Sequence, residues 1–297
     1  IDIGGTKTAF AWVGADGGIV DSFRVPTPAP ETARDEALQQ LRGHVRRVRG
    51  WRTRFGICIV VRPGLMSYDV VELSPNTPAW EDAALAQLVR DELGEVHIRF
   101  ENDVRAATYG ELVAGRLRDV DPGLYVNLGT GVAAALVVSG RIVAGAHGAA
   151  GEIGALDVLR WAKAPAIFTR HPDLPKGLPL IMAAEWVCSR MRGGDREAAR
   201  LVHQFAHDLA VGAAALALTV DPDVLILGGG ISASADLWKD PFAEALAPLV
   251  LRMPELRVSQ LGSRGVVEGA AWRGAQFLEA HSYSDYLLPA QSLTQHA

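Results

Sequence analysis

The chain has 297 residues, of which 49% are apolar and 21% charged, and its formal net charge is −5. This length allows two lobes, and a mildly acidic chain without a basic block is a poor match for a nucleic-acid backbone. No apolar run reaches the ~20 residues that span a bilayer, and no signal peptide is visible. The two cysteines, Cys58 and Cys188, lie in apolar stretches, as is typical of a reducing compartment. We therefore expect a cytoplasmic protein that contacts neither nucleic acid nor membrane.

The first third of the chain predicts alternating strands and helices. Apolar or alternating runs predict strands, clusters of glycine and proline predict turns, and early acids with late arginines mark a helix. The predicted elements are strands at 8–13 and 19–25, a helix at 31–48, a strand at 55–61, a helix at 81–93, a strand at 96–100 and a helix at 104–113.

The same plan begins again at residue 124. The predicted elements are strands at 124–128 and 132–138, helices at 180–191 and 195–220, a strand at 224–227, a helix at 237–251, a strand at 256–260 and a helix at 266–280. Residues 2–6 align with residues 127–131, and the following strand and turn also match. We interpret this as a duplication that gives two lobes, with residues 160–179, which contain four prolines, as an irregular crossover.

Three polar residues, Glu101, Asn102 and Asp103, stand where a predicted strand runs into a predicted helix. Asn102 or Asp103 can be the helix N-cap, accepting a hydrogen bond from a free backbone N–H. The same position also suits polar side chains that face a cleft. The surrounding motifs favour this second interpretation.

Three glycine-rich turns each follow an apolar strand. They are Gly4-Gly5-Thr6, Gly129-Thr130-Gly131 and Gly228-Gly229-Gly230. Glycine lets backbone N–H groups approach an anion, the threonine hydroxyls add donors, and Lys7 supplies a point charge. One such turn is usually a hairpin, but three in one chain favour a nucleoside triphosphate held between two lobes. Neither a P-loop motif nor a Rossmann GxGxxG motif is present.

Phosphoryl transfer needs a metal ion, a positioned acceptor and an acid or base near the attacking hydroxyl. Asp2, at the end of the first strand, suits Mg²⁺ or its water ligands. Asp103 suits the general base, with Asn102 and Glu152 holding the acceptor. For Glu152 the alternative is a loop acid that accepts hydrogen bonds from nearby backbone N–H groups.

The order of the motifs resembles that of the ROK family, a group of bacterial sugar kinases, related repressors and open reading frames. The motifs are DIGGTK at 2–7, PG at 63–64, SPN at 74–76, END at 101–103, LGTG at 128–131, GAAGEIG at 148–154, DPDVLILGGG at 221–230 and GVVEGAA at 265–271. The resemblance implies an α/β, two-lobed actin-like ATPase (ribonuclease H-like) fold, with duplicated βββαβα lobes around a central cleft. We expect a small lobe of residues 1–103, joined by a tail at about 282–297, and a large lobe of residues 104–281.

The resemblance also implies roles for individual residues. Asp103 is the catalytic base, and the acceptor's hydroxyls are contacted by Asn76, Asn102 and Glu152. The nucleotide-binding residues it implies are Gly4, Gly5, Thr6, Lys7, Gly129, Thr130, Gly131, Gly228, Gly229 and Gly230. It further implies ATP and Mg²⁺ as cofactors, and a homodimer.

Two departures from the family pattern concern the acceptor. The family has a histidine after the GEIG segment, where this chain has Ala155, and its cysteine-rich zinc segment is absent. With only Cys58 and Cys188, far apart in the chain, no structural zinc is expected. Because a site built to bind a hydroxyl discriminates strongly, losing such contacts changes which polyol is accepted.

These observations predict an ATP-dependent kinase that phosphorylates a hydroxyl of a hexose, an amino sugar or a cyclitol. The alternative is the sugar-sensing domain of a ROK-type transcriptional regulator. The chain begins at Ile1 without an initiator methionine, so we expect upstream residues, which in a regulator would include the DNA-binding domain. Retention of Asp2, Lys7 and Asp103 favours the enzyme.

Overall fold

The computed structural model describes residues 1–48, 55–67, 70–72, 82–129, 131–155, 161 and 164–287. The chain forms two compact units, the first comprising Ile1–Ala106 and the chain from Val267, and the second comprising Ala107–Val266. The sequence-based division kept residues 104–281 together, so it differs in the placement of the last helix, α7 (Ser263–Leu287).

The contacts of α7 explain its place in the first unit. A Cβ atom on Gly274 would lie 3.1 Å from Cγ2 of Ile57, so the glycine lets the helix pack closely on a strand. Phe277 lies with its ring centroid 5.6 Å from that of His97 on the neighbouring strand. These residues are far apart in sequence, and periodicity does not show such a pairing.

The first unit is built on a five-stranded sheet. Its strands are β1 (Asp2–Ile3), β2 (Lys7–Val13), β3 (Ile19–Pro26), β4 (Ile57–Arg62) and β7 (His97–Asn102). Their order is β3-β2-β1-β4-β7, with β2 antiparallel to β1 and β3, and β1, β4 and β7 mutually parallel. A separate hairpin is formed by β5 (Leu65–Ser67) and β6 (Val70–Glu72).

Two helices, α1 (Arg34–Val48) and α2 (Asp82–Leu93), bury their apolar stripes in the core of this unit. The acids in the first turn of α1 and the arginines in its last turn complement the helix dipole, as predicted. Arg42 and Arg46 form ion pairs with Glu92 at the end of α2. Both arginines belong to the densest basic stretch of the sequence, six arginines within residues 42–54, which therefore includes arginines that join two helices.

The second unit repeats the plan of the first. Its strands are β8 (Gly123–Leu128), β9 (Val132–Val138), β10 (Arg141–Ile142), β11 (Val224–Gly228) and β12 (Glu255–Val258). Their order is β10-β9-β8-β11-β12, with β8 antiparallel to β9 and parallel to β11, as β1 is to β2 and β4. The predicted duplication is confirmed by this shared strand order.

The helices of the second unit are α4 (Leu180–Arg192), α5 (Arg196–Val220) and α6 (Ala235–Leu246), and α3 (Asp103–Val113) enters it from the first unit. The predicted helix at 237–251 ends earlier, in a short 3₁₀ turn at Ala247–Leu249 that includes a proline. Within the described chain, α5 alone has the length and apolar composition of a membrane-spanning helix, but 61% of that stretch is buried inside the protein. This burial is what the core helix of a globular unit requires.

The predicted irregular crossover contains a buried 3₁₀ helix at Ala164–Arg170. Just before it, the fully buried Trp161 ring lies over Gly212 of α5, where a Cβ would be 1.9 Å from Cε3 of the indole. Past the 3₁₀ helix, buried His171 accepts a hydrogen bond from the backbone N–H of Asp173 and lies 3.3 Å from a carboxylate oxygen of Asp195. Apolar packing and one His–Asp contact thus hold this segment.

Replacing Asp195 by alanine is expected to lower the free energy of unfolding at pH 7, because it removes the N-cap of a 25-residue helix. Asp195 is the N-cap of α5, and its Oδ1 accepts hydrogen bonds from the backbone N–H groups of Glu197 and Ala198. The bond from Ala198, aided by the guanidinium of Arg190, holds the pKa of this carboxyl below its ordinary 3.8.

A lowered folded-state pKa gives stability that is present above the unfolded pKa and is lost as the pH falls through the folded value. The difference between wild type and Asp195→Ala should therefore shrink below pH 3.8. Urea unfolding across pH measures it. Asp195→Asn is the control, since an asparagine still caps the helix but cannot ionise. A difference that stays constant down to the lowest pH would contradict the assignment.

Candidate active site

The carboxyl ends of parallel strands meet at one edge of a sheet, and in the first unit these are the ends of β1, β4 and β7. After β1 comes the first glycine-rich turn, after β4 comes Pro63-Gly64, and after β7 comes Asp103. Ligands of open α/β sheets bind outside such carboxyl edges. The structure therefore brings four of the predicted site features to one edge: Asp2, the turn at residues 4–7, Asn102 and Asp103.

The first glycine-rich turn is a tight hairpin. The backbone N–H of Gly4 donates to the carbonyl of Lys7 at 3.0 Å, and the backbone N–H of Thr27, directly after β3, donates to the carbonyl of Thr6 at 3.1 Å. The side chains of Thr6 and Lys7 are exposed beside the turn, with Gly5 partly exposed. An ammonium group and a hydroxyl in this position can contact a phosphate.

Asp2 is the first residue of β1 and is partly buried. Burial raises the pKa of the Asp2 carboxyl, against the opposing effect of nearby positive charge that includes Arg24. A carboxylate whose charged form is disfavoured by burial gains most from a bound cation. The chemistry of this residue fits a ligand of Mg²⁺ or of its waters. Among the described residues, no group of three or more histidine, cysteine or acidic side chains is placed to hold a metal ion by itself.

Asn102 is the N-cap of α3, so the capping interpretation of this junction holds for its side-chain carbonyl oxygen. Oδ1 accepts a hydrogen bond from the backbone N–H of Arg105 at 3.0 Å, and Nδ2 donates to the carbonyl of Gly64 at 2.6 Å. Each end of the amide still has one further bonding position. Capping therefore fixes the orientation of this amide and leaves it capacity to bind an acceptor.

Asp103 is the first residue of α3, and its Oδ1 accepts a hydrogen bond from the backbone N–H of Val104 at 3.0 Å. Its side chain is partly exposed, whereas Glu101 and Asn102 are buried. A partly exposed carboxylate on a regular helix has both a defined position and access for a proton donor. This is the arrangement that a general base requires.

Glu101 and Arg62 also lie at this edge, and the sequence predicts no role for either one. The Oε1 of Glu101 accepts from the backbone N–H of Asn102, and Oε2 accepts from Nε of Arg273 on α7 at 3.2 Å. Burial raises the pKa of the Glu101 carboxyl. Arg62 is buried at the end of β4 and pairs with Asp82. The signal that points to Arg62 is a charged residue in the otherwise apolar run ICIVVR.

The other two glycine-rich turns lie side by side in the second unit. Gly228 at the end of β11 is the register partner of Asn127, the next-to-last residue of β8, after which the turn at 129–131 begins. In that turn the N–H of Gly129 donates to the carbonyl of Gly131 at 2.9 Å. Gly229 has φ +84°, and a Cβ there would lie 2.4 Å from the carbonyl oxygen of Leu128. Glycine is thus required where the two turns approach each other.

These turns offer what a nucleotide needs. Apart from its chain neighbours, no atom of the described residues would lie within 4 Å of a Cβ on Gly131, so this backbone is open on the side that a side chain would fill. Gly230, which begins a short 3₁₀ helix, lies beside Ile181 of α4. Open backbone next to an apolar side chain suits phosphate oxygens together with a base. Thr130, between the two described glycines, lies outside the described residues.

Glu152 lies in the second unit, in a loop of high glycine content. Its backbone N–H donates to the carbonyl of Ala149, and its carbonyl accepts from the N–H of Ala155 in a 3₁₀ turn. Preceding it, Gly151 has φ +89°, and a Cβ there would lie 2.3 Å from the carbonyl oxygen of Ala134 on β9. The absence of a side chain at Gly151 thus lets the loop lie close against the sheet next to Glu152. Asn76 lies outside the described residues.

Known proteins of similar sequence and fold include sugar kinases. The chain is 27% identical to a glucokinase of Halalkalibacterium halodurans, over 92% of this chain and 93% of that protein. It is 30% identical to an N-acetylmannosamine kinase of Escherichia coli O157:H7, over 78% of this chain and 82% of that one. A ROK family glucokinase from Streptomyces griseus, solved with glucose and AMPPNP, has a similar fold with a TM-score of 0.73, 23% identity, and coverage of 91% and 96%.

Two α/β units with a common strand order and glycine-rich turns define the actin-like ATPase fold that these proteins share. The model of the ROK family matches residues 1–164 and 179–281. This chain belongs to the ROK family. The family and the fold predicted from the motifs are both confirmed.

Proposed function

We propose that the protein transfers the γ-phosphoryl group of ATP to a hydroxyl of a sugar or sugar-like polyol, with Asp103 as the general base. The enzyme class, an ATP-dependent carbohydrate kinase, rests on the family and on relatives that are sugar kinases. The observation that carries the proposal is the position of Asp103, which begins α3 at the same sheet edge as Asp2 and the turn at residues 4–7.

In the proposed step, Asp103 accepts the proton of the acceptor hydroxyl as its oxygen bonds to the γ-phosphorus. The bond from that phosphorus to the β–γ bridging oxygen breaks, ADP leaves, and the proton remains on Asp103 until it passes to solvent. The hydrogen bond from the Val104 N–H fixes the carboxylate at the start of the helix. Such a positioned base contributes about 10²–10⁴ to a rate.

The remaining residues bind and orient. In the first unit, Lys7 and the backbone of residues 4–6 contact phosphate. In the second unit, the turns at 129–131 and 228–230 bind nucleotide. Asp2 would hold Mg²⁺ directly or through water, and the ion, when bound, neutralises charge on the phosphate oxygens. The cytoplasm, which supplies ATP and keeps the buried thiols of Cys58 and Cys188 reduced, is the compartment that this chemistry suits.

Asn102, Asn76 and Glu152 are proposed to bind the acceptor's hydroxyls. Ala155 offers no hydrogen bond where the family pattern has a histidine, so the acceptor is expected to differ from that of a standard glucokinase. The candidates are a hexose, an N-acetylated amino sugar and a cyclitol. Nucleic acid is not expected as a partner, because the net charge is −5 and arginines of the densest basic stretch are paired with acids.

A thermal-shift panel of ATP-Mg²⁺ with sugars and cyclitols, followed by phosphorylation assays on each hit, tests this function. A ligand at a hundred times its Kd stabilises the folded protein by about 2.7 kcal/mol, so a true acceptor gives a clear shift. Phosphorylation of a hit supports the proposal. A sugar that shifts the melting temperature but is not phosphorylated in the presence of ATP-Mg²⁺ would instead favour the regulatory sensing domain.

A further inference from the structure

Arg62 is the last residue of β4, which lies between β1 and β7 in the sheet, and it is buried, with only 2% of its surface exposed. Its Nη1 forms an ion pair with Oδ1 of Asp82, the first residue of α2, which is 8% exposed. Nε of Arg62 is buried and has no hydrogen-bond partner among the described residues. Burial lowers the pKa of the guanidinium, against the opposing effect of Asp82.

A buried ion pair of this kind adds little to the stability of the fold. Removing two charges from water costs several kcal/mol per ion, and apolar residues of similar volume often serve as well or better. The unpartnered Nε adds a further cost, because a buried donor without an acceptor loses its hydration without compensation. The neighbourhood of Arg62 offers a different reason for the pair.

Arg62 lies beside Asn102, which is predicted to bind the acceptor. Arg62 and Asn102 are register partners on the parallel strands β4 and β7, so their side chains leave the same face of the sheet. Pro63-Gly64 follows Arg62 directly, and the carbonyl of Gly64 accepts the 2.6 Å hydrogen bond from Nδ2 of Asn102. Gly64 has φ +132°, a conformation that favours glycine and that aims this carbonyl.

We propose that Arg62 is a positioning residue for the acceptor: its ion pair with Asp82 fixes the end of β4, and through the Gly64 carbonyl it holds the side-chain amide of Asn102. The amide in turn caps the helix that begins with Asp103. The inference rests on the proposed function for the identity of the acceptor, but the orientation of the Asn102 amide is measurable without it.

The double substitution Arg62→Met with Asp82→Leu tests the proposal, since it removes both charges together and leaves neither one buried alone. We expect kcat/KM for the acceptor to fall about tenfold to a hundredfold, the scale of a misplaced binding group. KM for ATP should stay within about twofold, because two of the three nucleotide turns lie in the second unit and the turn at residues 4–7 is held by backbone hydrogen bonds of its own, Gly4 to Lys7 and Thr27 to Thr6. A merely structural pair would affect both substrates together or neither.

The matched control is Arg46→Met with Glu92→Leu. This pair joins α1 to the opposite end of α2 and also has a buried acid. Its loss should leave kcat/KM for the acceptor at the wild-type value. Equal losses in the two double variants would overturn the proposal, because the effect would then be a general consequence of weakening α2.

A second readout does not depend on activity. The side-chain NH₂ signals of Asn102, identified by their loss in Asn102→Asp, should show slow hydrogen exchange in the wild type and fast exchange in the Arg62/Asp82 double variant. If no acceptor is found, the proposed function fails while this measurement still decides the positioning role. Unchanged exchange, or unchanged acceptor kinetics, in the folded double variant would overturn it.

Should the double variant not fold, Gly64→Ala tests the same relay at its next step and leaves the ion pair in place. Alanine disfavours φ +132°, so the carbonyl should turn away from Asn102. We expect the same pattern, with lower acceptor kcat/KM and an unchanged KM for ATP. Wild-type acceptor kinetics in Gly64→Ala would overturn the proposal.

Discussion

Asp103→Asn is expected to lower kcat for phosphoryl transfer by about a hundredfold or more, while the Kd for ATP-Mg²⁺ stays within about twofold. Asparagine is nearly isosteric, and its oxygen can still accept the hydrogen bond from Val104 N–H that begins α3. What it loses is the ability to take a proton from the acceptor hydroxyl. A coupled ADP-release assay and calorimetry with a non-hydrolysable ATP analogue measure the two quantities.

Asp21→Asn is a matched control for this substitution. Asp21 also accepts a hydrogen bond from the next backbone N–H, that of Ser22 at 2.7 Å, but it lies exposed on β3. This variant should turn over at the wild-type rate. Turnover of Asp103→Asn equal to wild type would remove the assignment of the base, and the family membership would be unaffected.

Gly229→Ala is expected to weaken ATP binding about tenfold to a hundredfold. At φ +84° an alanine is strained, and its Cβ would lie 2.4 Å from the carbonyl oxygen of Leu128. Because the new Cβ would meet a backbone carbonyl, no flexible side chain can move to relieve the contact. The turn after β11 must then shift away from the turn after β8, and a displaced binding group of this kind costs on the order of 10².

Calorimetric titration with ATP-Mg²⁺ measures the change, on protein shown to be folded by circular dichroism. Gly140→Ala in the hairpin between β9 and β10 is the control, since it imposes similar strain at φ +67° but its Cβ meets no atom within 4 Å. It should lose stability without losing ATP affinity. Wild-type affinity in folded Gly229→Ala would separate this turn from the nucleotide site.

Local patterns were sufficient for the strand–turn units and for the glycine positions. The turn at residues 4–7 and the turn at 129–131 were predicted from a few adjacent residues, because a hairpin is formed by its own strands and its glycines. The strand end at Gly228 followed for the same reason. A helix end differs from its prediction where a proline follows. The helix predicted at 237–251 stops at Leu246, and the chain continues as a 3₁₀ turn that includes a proline.

The junction at residues 101–103 shows where local patterns become ambiguous. A polar residue before a helix is equally suited to capping and to ligand binding. The structure gives Asn102 the cap and also a second bond, to Gly64, which is 38 residues away. Glu101 pairs with Arg273, which is 172 residues away, and neither partner suggests the other by spacing.

The sequence by itself determined the family and the duplicated α/β plan, because these reside in short contiguous motifs whose backbone conformation is local. The phosphate-binding and proton-accepting roles assigned to those motifs stay predictions. Only the tertiary structure decided that α7 completes the first unit, that Trp161 packs over Gly212, and that Arg62 meets Asp82. The physical reason is that burial and ion pairing depend on which distant residues share a sheet face, and chain folding, not spacing, brings those residues together.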